Sequence, residues 1–301
     1  MKKIFPIIFL CLFLFGASFN AHAEQKETSN GSNKETKDKV DKPKRDIELN
    51  TILMQSTFML AGKSKEEKDK IKFGTGFIIG RPQKDKPGKS KYVLITAAHV
   101  LEDFEGPKAT IFLRRQKEDG SYEKIPFEFK IFDDSNKPLW VRHPDNEIDV
   151  AAMNIAIPRK AEFSLISTKL LGNDIDLEKF EIHPGDELFC LGYPLGIQSQ
   201  LGGFPILRSG KIASYPLIPI KTVKKFYFDF QVYNGNSGGP VYFIQTSRYY
   251  DGKIHFGETI HFIAGLVSAQ AASKLYNNQP VYLAEIIPSP FIVETVNLLP
   301  E

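Results

Sequence analysis

Residues 235–240 (GNSGGP) place the hydroxyl of Ser237 in a glycine-rich bend. Glycine has no Cβ, so the backbone of such a bend can approach a ligand closely or adopt positive φ. Successive backbone N–H groups of the bend can point at one position, as stabilisation of a developing oxyanion requires. Asn, Gly and Ser also form ordinary turns, so this stretch alone leaves a purely structural turn open.

Two further segments supply groups that could activate such a serine. Residues 92–100 (YVLITAAHV) form an apolar run that ends in small residues and His99. Residues 147–153 (EIDVAAM) place Asp149 at the start of another apolar run. A serine hydroxyl becomes a good nucleophile when an imidazole accepts its proton. A carboxylate on the other ring nitrogen fixes the tautomer and stabilises the imidazolium that forms. Together the segments predict acyl-transfer chemistry at Ser237.

The three segments resemble the motifs of the trypsin/chymotrypsin-like serine peptidases, a family that includes exported bacterial enzymes. They occur in the same order as in that family: His, Asp, Ser. The resemblance extends over about residues 50–298, a span longer than a single motif and typical of a whole domain. Segments that resemble neighbouring family elements are 73–79, 191–196, 207–212, 263–268 and 280–283.

The resemblance implies an all-β fold of two packed six-stranded Greek-key barrels with a short C-terminal helix and the site in the cleft between them. It implies that Ser237 is the nucleophile, His99 the general base and Asp149 the group that orients His99. The backbone N–H groups of Gly235 and Ser237 would hold the oxyanion. This chemistry requires no cofactor and no metal.

The resemblance also implies a primary substrate pocket. Its lining residues would be Gln231 near the base, Ser268, Ala269, Gln270, and Pro280 with the two residues that follow it. No acidic residue occupies the base position, so selection of Arg or Lys lacks its counter-charge. We expect a preference for an uncharged side chain of small or medium size.

The residue before the serine departs from the digestive relatives. Those enzymes have an aspartate there that pairs with a newly cut N-terminus, whereas this chain has Asn236. Asn236 supplies no carboxylate, so we expect that cutting the N-terminal arm does not activate the protein.

Other residues compete for the same roles. Asp133, Asp134 and Asp145 are alternative orienting acids, but only Asp149 is followed directly by an apolar run, which would hold it at the entrance of a strand. His143 precedes a proline and an aspartate in a polar loop, which predicts a surface histidine.

The chain divides into three segments. Residues 1–23 combine two lysines, an apolar run over 4–15 and an Ala-His-Ala cleavage pattern, which is typical of a secretory signal peptide. The apolar run is shorter than the roughly 20 residues of a membrane span, so we expect an exported protein, periplasmic or secreted, with no stable membrane span after cleavage. Residues 24–48 are polar and lack aromatics, which predicts a flexible arm that serves as a tether, a propeptide or a partner-binding tail. Residues 49–301 form the predicted peptidase domain, with barrels over about 49–170 and 171–301.

Short runs of β-branched and aromatic residues between turn residues predict the strands. They are 76–79, 92–97, 110–114, 127–132, 150–155, 187–192, 207–213, 226–230, 240–244, 260–268 and 280–286. The lysine-rich segment 62–70 fits a hairpin loop. Beyond the signal peptide, the one clear helical pattern is 290–299, with Ser289 as its cap.

Composition limits the possible partners. The formal charge of +3 includes Lys2 and Lys3, so it falls to +1 without them and provides no electrostatic basis for nucleic-acid binding. The expected partner is a protein or peptide substrate. Without residues 1–23, Cys190 is the only cysteine; it lies in an apolar strand and is interpreted as a small buried hydrophobe.

Two alternatives remain. The first is a peptidase-like binding protein without catalysis. The second is an esterase, whose Gly-x-Ser-x-Gly pattern residues 235–239 also satisfy. In that class the histidine follows the serine and a helix follows the bend, and neither holds for this sequence.

Overall fold

Runs of Ile, Val, Phe and Tyr broken by Gly, Pro and Asp form the strands of the protein. The computed structural model describes residues 48–273, 277 and 279–301. The predicted signal peptide and the predicted arm up to residue 47 lie outside the described residues. The described part belongs to one unit of the chain, 46–301, and contains two β-sheets.

The strands of the first sheet are β1 (Thr57–Ser64), β2 (Ile71–Pro82), β3 (Ser90–Thr96), β4 (Phe104–Gln116), β5 (Tyr122–Lys130), β6 (Val141–Arg142), β7 (Ala151–Asn154) and β8 (Ile166–Ser167). They pair in the order β5-β4-β1-β2-β3-β7-β6, and β8 pairs with β2. The neighbours β4-β1-β2-β3 have the spatial order of a Greek key. The five predicted strands of this half correspond to β2, β3, β4, β5 and β7; β1 is a further long strand, and β6 and β8 have two residues each.

The second sheet closes into a six-stranded barrel. Its strands are β9 (Glu187–Gly192), β10 (Ile206–Ile212), β11 (Phe226–Asp229), β12 (Pro240–Tyr250), β13 (Lys253–Ser273) and β14 (Gln279–Pro288). The ring runs β10-β11-β14-β13-β12-β9, and the neighbours β12-β9-β10-β11 again have Greek-key order. The predicted all-β fold is confirmed.

The helices are α1 (Leu49–Ser56), α2 (Ala98–Glu102), α3 (Asp174–Lys179), α4 (Ile220–Val223) and α5 (Ser289–Asn297). Helix α5 confirms the predicted C-terminal helix, but Ser289 does not cap it. Its hydroxyl hydrogen is instead shared between two carbonyl oxygens, those of Gly172 (2.6 Å from Oγ) and Ile263 (2.8 Å). Within the described ranges, every helix is too short or too polar to cross a bilayer.

Helices α1 to α4 and strand β1 were not predicted from the sequence. Helix α1 buries Leu49 and Leu53 over eight residues, too few for a helical period to stand out. Strand β1 extends to Ser64, into the segment predicted as a loop, because pairing with β2 and β4 continues through Lys63. The pairing with β4 joins residues distant in sequence, such as Lys63 and Glu105.

The larger buried cluster joins the two sheets. It contains Phe58 and Ile95 of the first sheet, Leu191 and Tyr242 of the barrel, and Ile292 of α5. A shared core of this kind fixes the relative position of the elements that it contains. Loops at the ends of β3, β7 and β12 are therefore held against one another.

Candidate active site

His99 and Asp149 are brought together by neighbouring strands. Strand β3 ends at Thr96, and His99 lies in the first turn of α2, three residues after the strand. Strand β7 pairs antiparallel with β3, with Ala151 opposite Thr96. Asp149 lies two residues before β7, so this register places its side chain beside His99.

The Asp149 carboxylate receives three hydrogen bonds. Its Oδ2 lies 2.7 Å from His99 Nδ1, and its Oδ1 accepts the backbone N–H of His99 at 3.0 Å. Ser268 Oγ also donates to Oδ2, at 2.7 Å. A carboxylate accepts only, so Nδ1 of His99 carries the hydrogen and Nε2 of the neutral ring is left as an acceptor.

The electrostatics of the pair are reciprocal. Burial lowers the pKa of His99. The hydrogen bond and charge of Asp149, with smaller contributions from the charges of Asp103 and Glu102, raise it by more, so the net pKa lies above the ordinary value of 6.5. Burial raises the pKa of Asp149, yet the bonds from His99 and Ser268 outweigh it and lower that pKa to about 2. Asp149 is thus ionised wherever His99 titrates.

Ser237 lies on the bend between β11 and β12, and two of its glycines are required by geometry. Gly235 has φ +96°, and a Cβ there would overlap the carbonyl oxygen of Tyr193. Gly238 has φ +85°, and a Cβ there would overlap the carbonyl oxygen of Thr75. Only glycine meets both demands, which explains the residue types of the motif.

The bend leaves two backbone donors free. Within the described part of the chain, the N–H groups of Gly235 and Ser237 donate to no protein acceptor, although the neighbouring Asn236 N–H donates to Tyr233 O at 3.0 Å. Gly238 N–H donates to Val267 O at 2.7 Å. Free N–H groups on either side of a bonded one are the arrangement that can receive an oxyanion.

His99 and Ser237 line one cleft, together with Gly235, Asn234 and Leu195. His99 lies on α2, directly after β3 of the first sheet, and Ser237 lies on the bend before β12 of the barrel. The cleft therefore lies between the two sheets. Among the described residues, no hydrogen bond links Ser237 Oγ to His99. Such bonds are often long in free enzymes and shorten when substrate binds.

The predicted pocket residues divide into two groups. Ala269 and Gln270 lie on β13 and Pro280 on β14, and Gln270 Nε2 donates to Val281 O at 3.1 Å across these strands. Ser268 is 6% exposed and its hydroxyl is bonded to Asp149, so it contacts the His99–Asp149 pair.

Gln231, the predicted base of the pocket, lies near a positive charge. The guanidinium of Arg208 donates to the Gln231 carbonyl oxygen at 2.5 Å and lies over the rings of Phe230 and Tyr233. A cation at this position would repel a second positive charge brought close to Gln231.

The competing acids have other partners. Asp133 accepts backbone N–H groups of its own turn, Asp134 pairs with Lys130, and Asp145 pairs with Lys224.

The surface prediction for His143 is wrong. Helix α5 covers it, leaving 6% exposed, and its ring meets Phe291 edge-on with centroids 5.5 Å apart. Cys190 is buried, and burial raises the pKa of its thiol to about 12, which makes it a poor nucleophile.

Two contacts around the bend had no recognised sequence signal. Thr75 Oγ1 donates to the Gly235 carbonyl oxygen at 2.6 Å, and Leu195 N–H donates to the Asn234 carbonyl oxygen at 2.7 Å. Thr75 lies between two glycines in β2, and this spacing is the one sequence feature that could have indicated a close approach of β2 to the serine bend.

Residues 74–248, more than half of the chain, match the trypsin-like peptidase domain family. The chain belongs to this family. Comparison with curated protein sequences gave no match.

Two solved structures show the similarity at low identity. One is an alanine variant of the HtrA-type protease AlgW with a tripeptide: 16% identity, TM-score 0.46, 82% of this chain and 60% of that chain covered. The chain therefore spans less than two thirds of that relative. The other is the Rv3671c protease from M. tuberculosis in its active form: 17% identity, TM-score 0.44, 81% of each chain covered.

Proposed function

We propose that the protein is an exported serine endopeptidase that hydrolyses peptide bonds through an acyl-enzyme intermediate. The observation that carries this proposal is the Asp149 carboxylate bonded to His99 Nδ1 at 2.7 Å, in the cleft that His99 shares with Ser237. Family membership supports peptides as the substrate class.

In this proposal Ser237 Oγ attacks the substrate carbonyl carbon while its proton passes to His99 Nε2. The carbonyl oxygen becomes an oxyanion that accepts the free N–H groups of Gly235 and Ser237. His99 then gives the proton to the leaving amine as the C–N bond breaks. Water, deprotonated by His99, attacks the ester carbonyl; His99 returns that proton to Ser237 Oγ as the acid leaves. The proton balance closes without any further group.

The proposed primary pocket is formed by Gln231, Ser268, Ala269, Gln270 and Pro280, and the Ser268 hydroxyl is also bonded to Asp149. The Arg208 guanidinium at the Gln231 carbonyl supports selection against Arg and Lys. We extend the proposal to export, to the periplasm or the medium, on the pattern of residues 1–23.

A mixed peptide library digested by wild-type protein and by Ser237→Ala tests the proposal. Wild type should cleave, chiefly after uncharged residues, and Ser237→Ala should retain its circular dichroism but not cleave. Cleavage by pure Ser237→Ala would refute the nucleophile, and cleavage chiefly after Arg would refute the pocket. A fluorophosphonate probe separates a peptidase from a silent binding protein, because only an organised site is labelled at Ser237.

A further inference from the structure

The position of Thr75 links the first sheet to the serine bend. Thr75 lies in β2 opposite Met59 of β1, and the next residue, Gly76, pairs with Thr96 of β3, so neighbouring strands hold this part of β2 on both edges. The residue is fully buried. Its N–H donates to Ser237 O at 2.9 Å, and its hydroxyl donates to Gly235 O at 2.6 Å. One residue of the first sheet therefore holds two carbonyl groups of the bend.

Gly235 depends on this hydroxyl because its other restraint is weak. The Gly235 carbonyl oxygen also accepts the Tyr193 N–H, but at 3.4 Å. The same Tyr193 N–H lies 3.3 Å from Thr75 Oγ1, which accepts from it. The threonine hydroxyl is thus the short bond at Gly235 and also anchors the neighbouring strand end.

The peptide bonds on both sides of Gly235 are restrained in this way. A trans peptide directs its C=O and N–H in opposite directions. The Asn234 carbonyl oxygen accepts Leu195 N–H at 2.7 Å, which directs the N–H of Gly235 away from Leu195. Thr75 restrains the following carbonyl. Glycine at φ +96° has wide conformational freedom, so without these bonds the free N–H could turn elsewhere.

We infer that Thr75 is a positioning residue for the oxyanion site: its side-chain hydroxyl fixes the peptide after Gly235. Because the peptide before Gly235 is fixed through Asn234 O, the backbone cannot rotate about Gly235 and its N–H stays aimed at the reacting oxygen. The inference rests on the proposed function. The inference gives the Thr75 side chain a role in kcat, which the position of Thr75 in a buried strand does not by itself indicate.

Thr75→Val tests the role, because valine keeps the shape and removes the hydroxyl. We expect kcat to fall about 10- to 100-fold with KM within about twofold, somewhat less than the roughly 10²–10³ loss for removal of an oxyanion donor itself. Thr75→Ser restores the hydroxyl and should recover most of the kcat. A peptide boronic acid, whose boron-bound oxygen occupies the oxyanion site, should lose affinity in parallel with kcat, while a product-like peptide acid should not.

Thr96→Val is the matched control. Thr96 is equally buried, and its hydroxyl donates to a backbone carbonyl at 2.7 Å, but that carbonyl belongs to Thr75. If the role of Thr75 were purely structural, Thr75→Val and Thr96→Val would have similar effects on the unfolding temperature and on kcat. Our inference predicts similar unfolding temperatures but a kcat loss at Thr75 alone. If Thr75→Val does not fold, Thr75→Ala is measured against the same criteria.

The outcomes separate the two proposals. The role of Thr75 is overturned if the wild type is active and Thr75→Val has the same kcat. It is also overturned if both valine variants lose kcat equally. Either result leaves the peptidase proposal standing. A wild type that neither cleaves the library nor reacts with fluorophosphonate overturns the peptidase proposal, and the role of Thr75 with it.

Discussion

Asp149 holds His99 at two points, through the ring at Nδ1 (2.7 Å) and through the backbone N–H (3.0 Å). The first bond sets the tautomer and the second sets the position of the helix turn that carries the ring. Because each carboxylate oxygen serves one of these bonds, the side chain and the backbone of His99 are oriented by the same group. This double contact gives direct expectations for substitution at Asp149.

Asp149→Asn should lower kcat by roughly 10⁴, the loss seen when a triad aspartate becomes an amide and the histidine adopts the wrong tautomer. The amide keeps the size of the side chain, so the fold should remain. Steady-state kinetics with a cleaved peptide measure the effect. Asp145→Asn is the control, since Asp145 pairs with Lys224 and should leave kcat unchanged. Activity of Asp149→Asn within tenfold of wild type would contradict the role of Asp149.

The pH profile of kcat/KM should reflect His99. Its raised pKa means that the base becomes neutral only above the ordinary value of 6.5, so activity should rise with pH and have its midpoint above 6.5. Asp149, with a pKa of about 2, stays ionised throughout and adds no second limb. Asp103 contributes to the raised pKa of His99, so Asp103→Asn should move the midpoint to lower pH by less than about one unit. A midpoint below 6.5 in wild type, or an upward shift in Asp103→Asn, would contradict this account.

Gly235→Ala should reduce kcat by roughly 10²–10³ with little change in KM, because the added Cβ overlaps Tyr193 O and must displace the oxyanion N–H. Gly185→Ala is a close backbone control. Gly185 has φ +95°, against +96° at Gly235, but a Cβ there meets nothing within 4 Å. Both variants carry the strain of positive φ, and only Gly235→Ala should lose turnover. Equal kcat losses would indicate a general effect of strain.

Arg114 is a fully buried cation held without a carboxylate among the described residues. Its guanidinium donates to backbone carbonyl oxygens, among them Thr57 and Gly203, and lies between the rings of Phe58 and Phe204, 4.5 and 4.4 Å from their centroids. Arg114→Met would leave several buried carbonyl groups without donors. We expect a loss of about 3 kcal/mol in the free energy of unfolding.

Denaturant unfolding measures this loss, and the neighbouring Arg115 provides the control. Arg115 pairs with Glu123 at the surface, so Arg115→Met should cost no more than about 0.5 kcal/mol. A small loss at Arg114, comparable to that at Arg115, would show that the carbonyl groups find other donors.

The residue types of the site were readable in the sequence, whereas its supporting contacts were not. His99, Asp149 and Ser237 stand in short segments whose composition indicates acyl transfer, and the strand runs that carry them alternate with clear turn residues. The contacts that support them join distant residues: Ser268 to Asp149 across 119 positions and Thr75 to Gly235 across 160. No local pattern encodes such pairs. His143 illustrates the same limit, because the helix that buries it begins at Ser289.

The serine bend is held by groups within the described residues, which bears on the role of residues 24–47. Thr75 restrains Gly235, Leu195 restrains Asn234, and the Gly239 carbonyl oxygen accepts Val267 N–H at 2.9 Å. Asn236 is 2% exposed and has no carboxylate with which a new N-terminus could pair. A protein of residues 24–301 and one of residues 48–301 should therefore have equal kcat/KM within about twofold, since a twofold change corresponds to less than 0.5 kcal/mol. If the longer protein is inactive until it is cut, an ordering contact from the new N-terminus must exist, and the bend is not self-supporting.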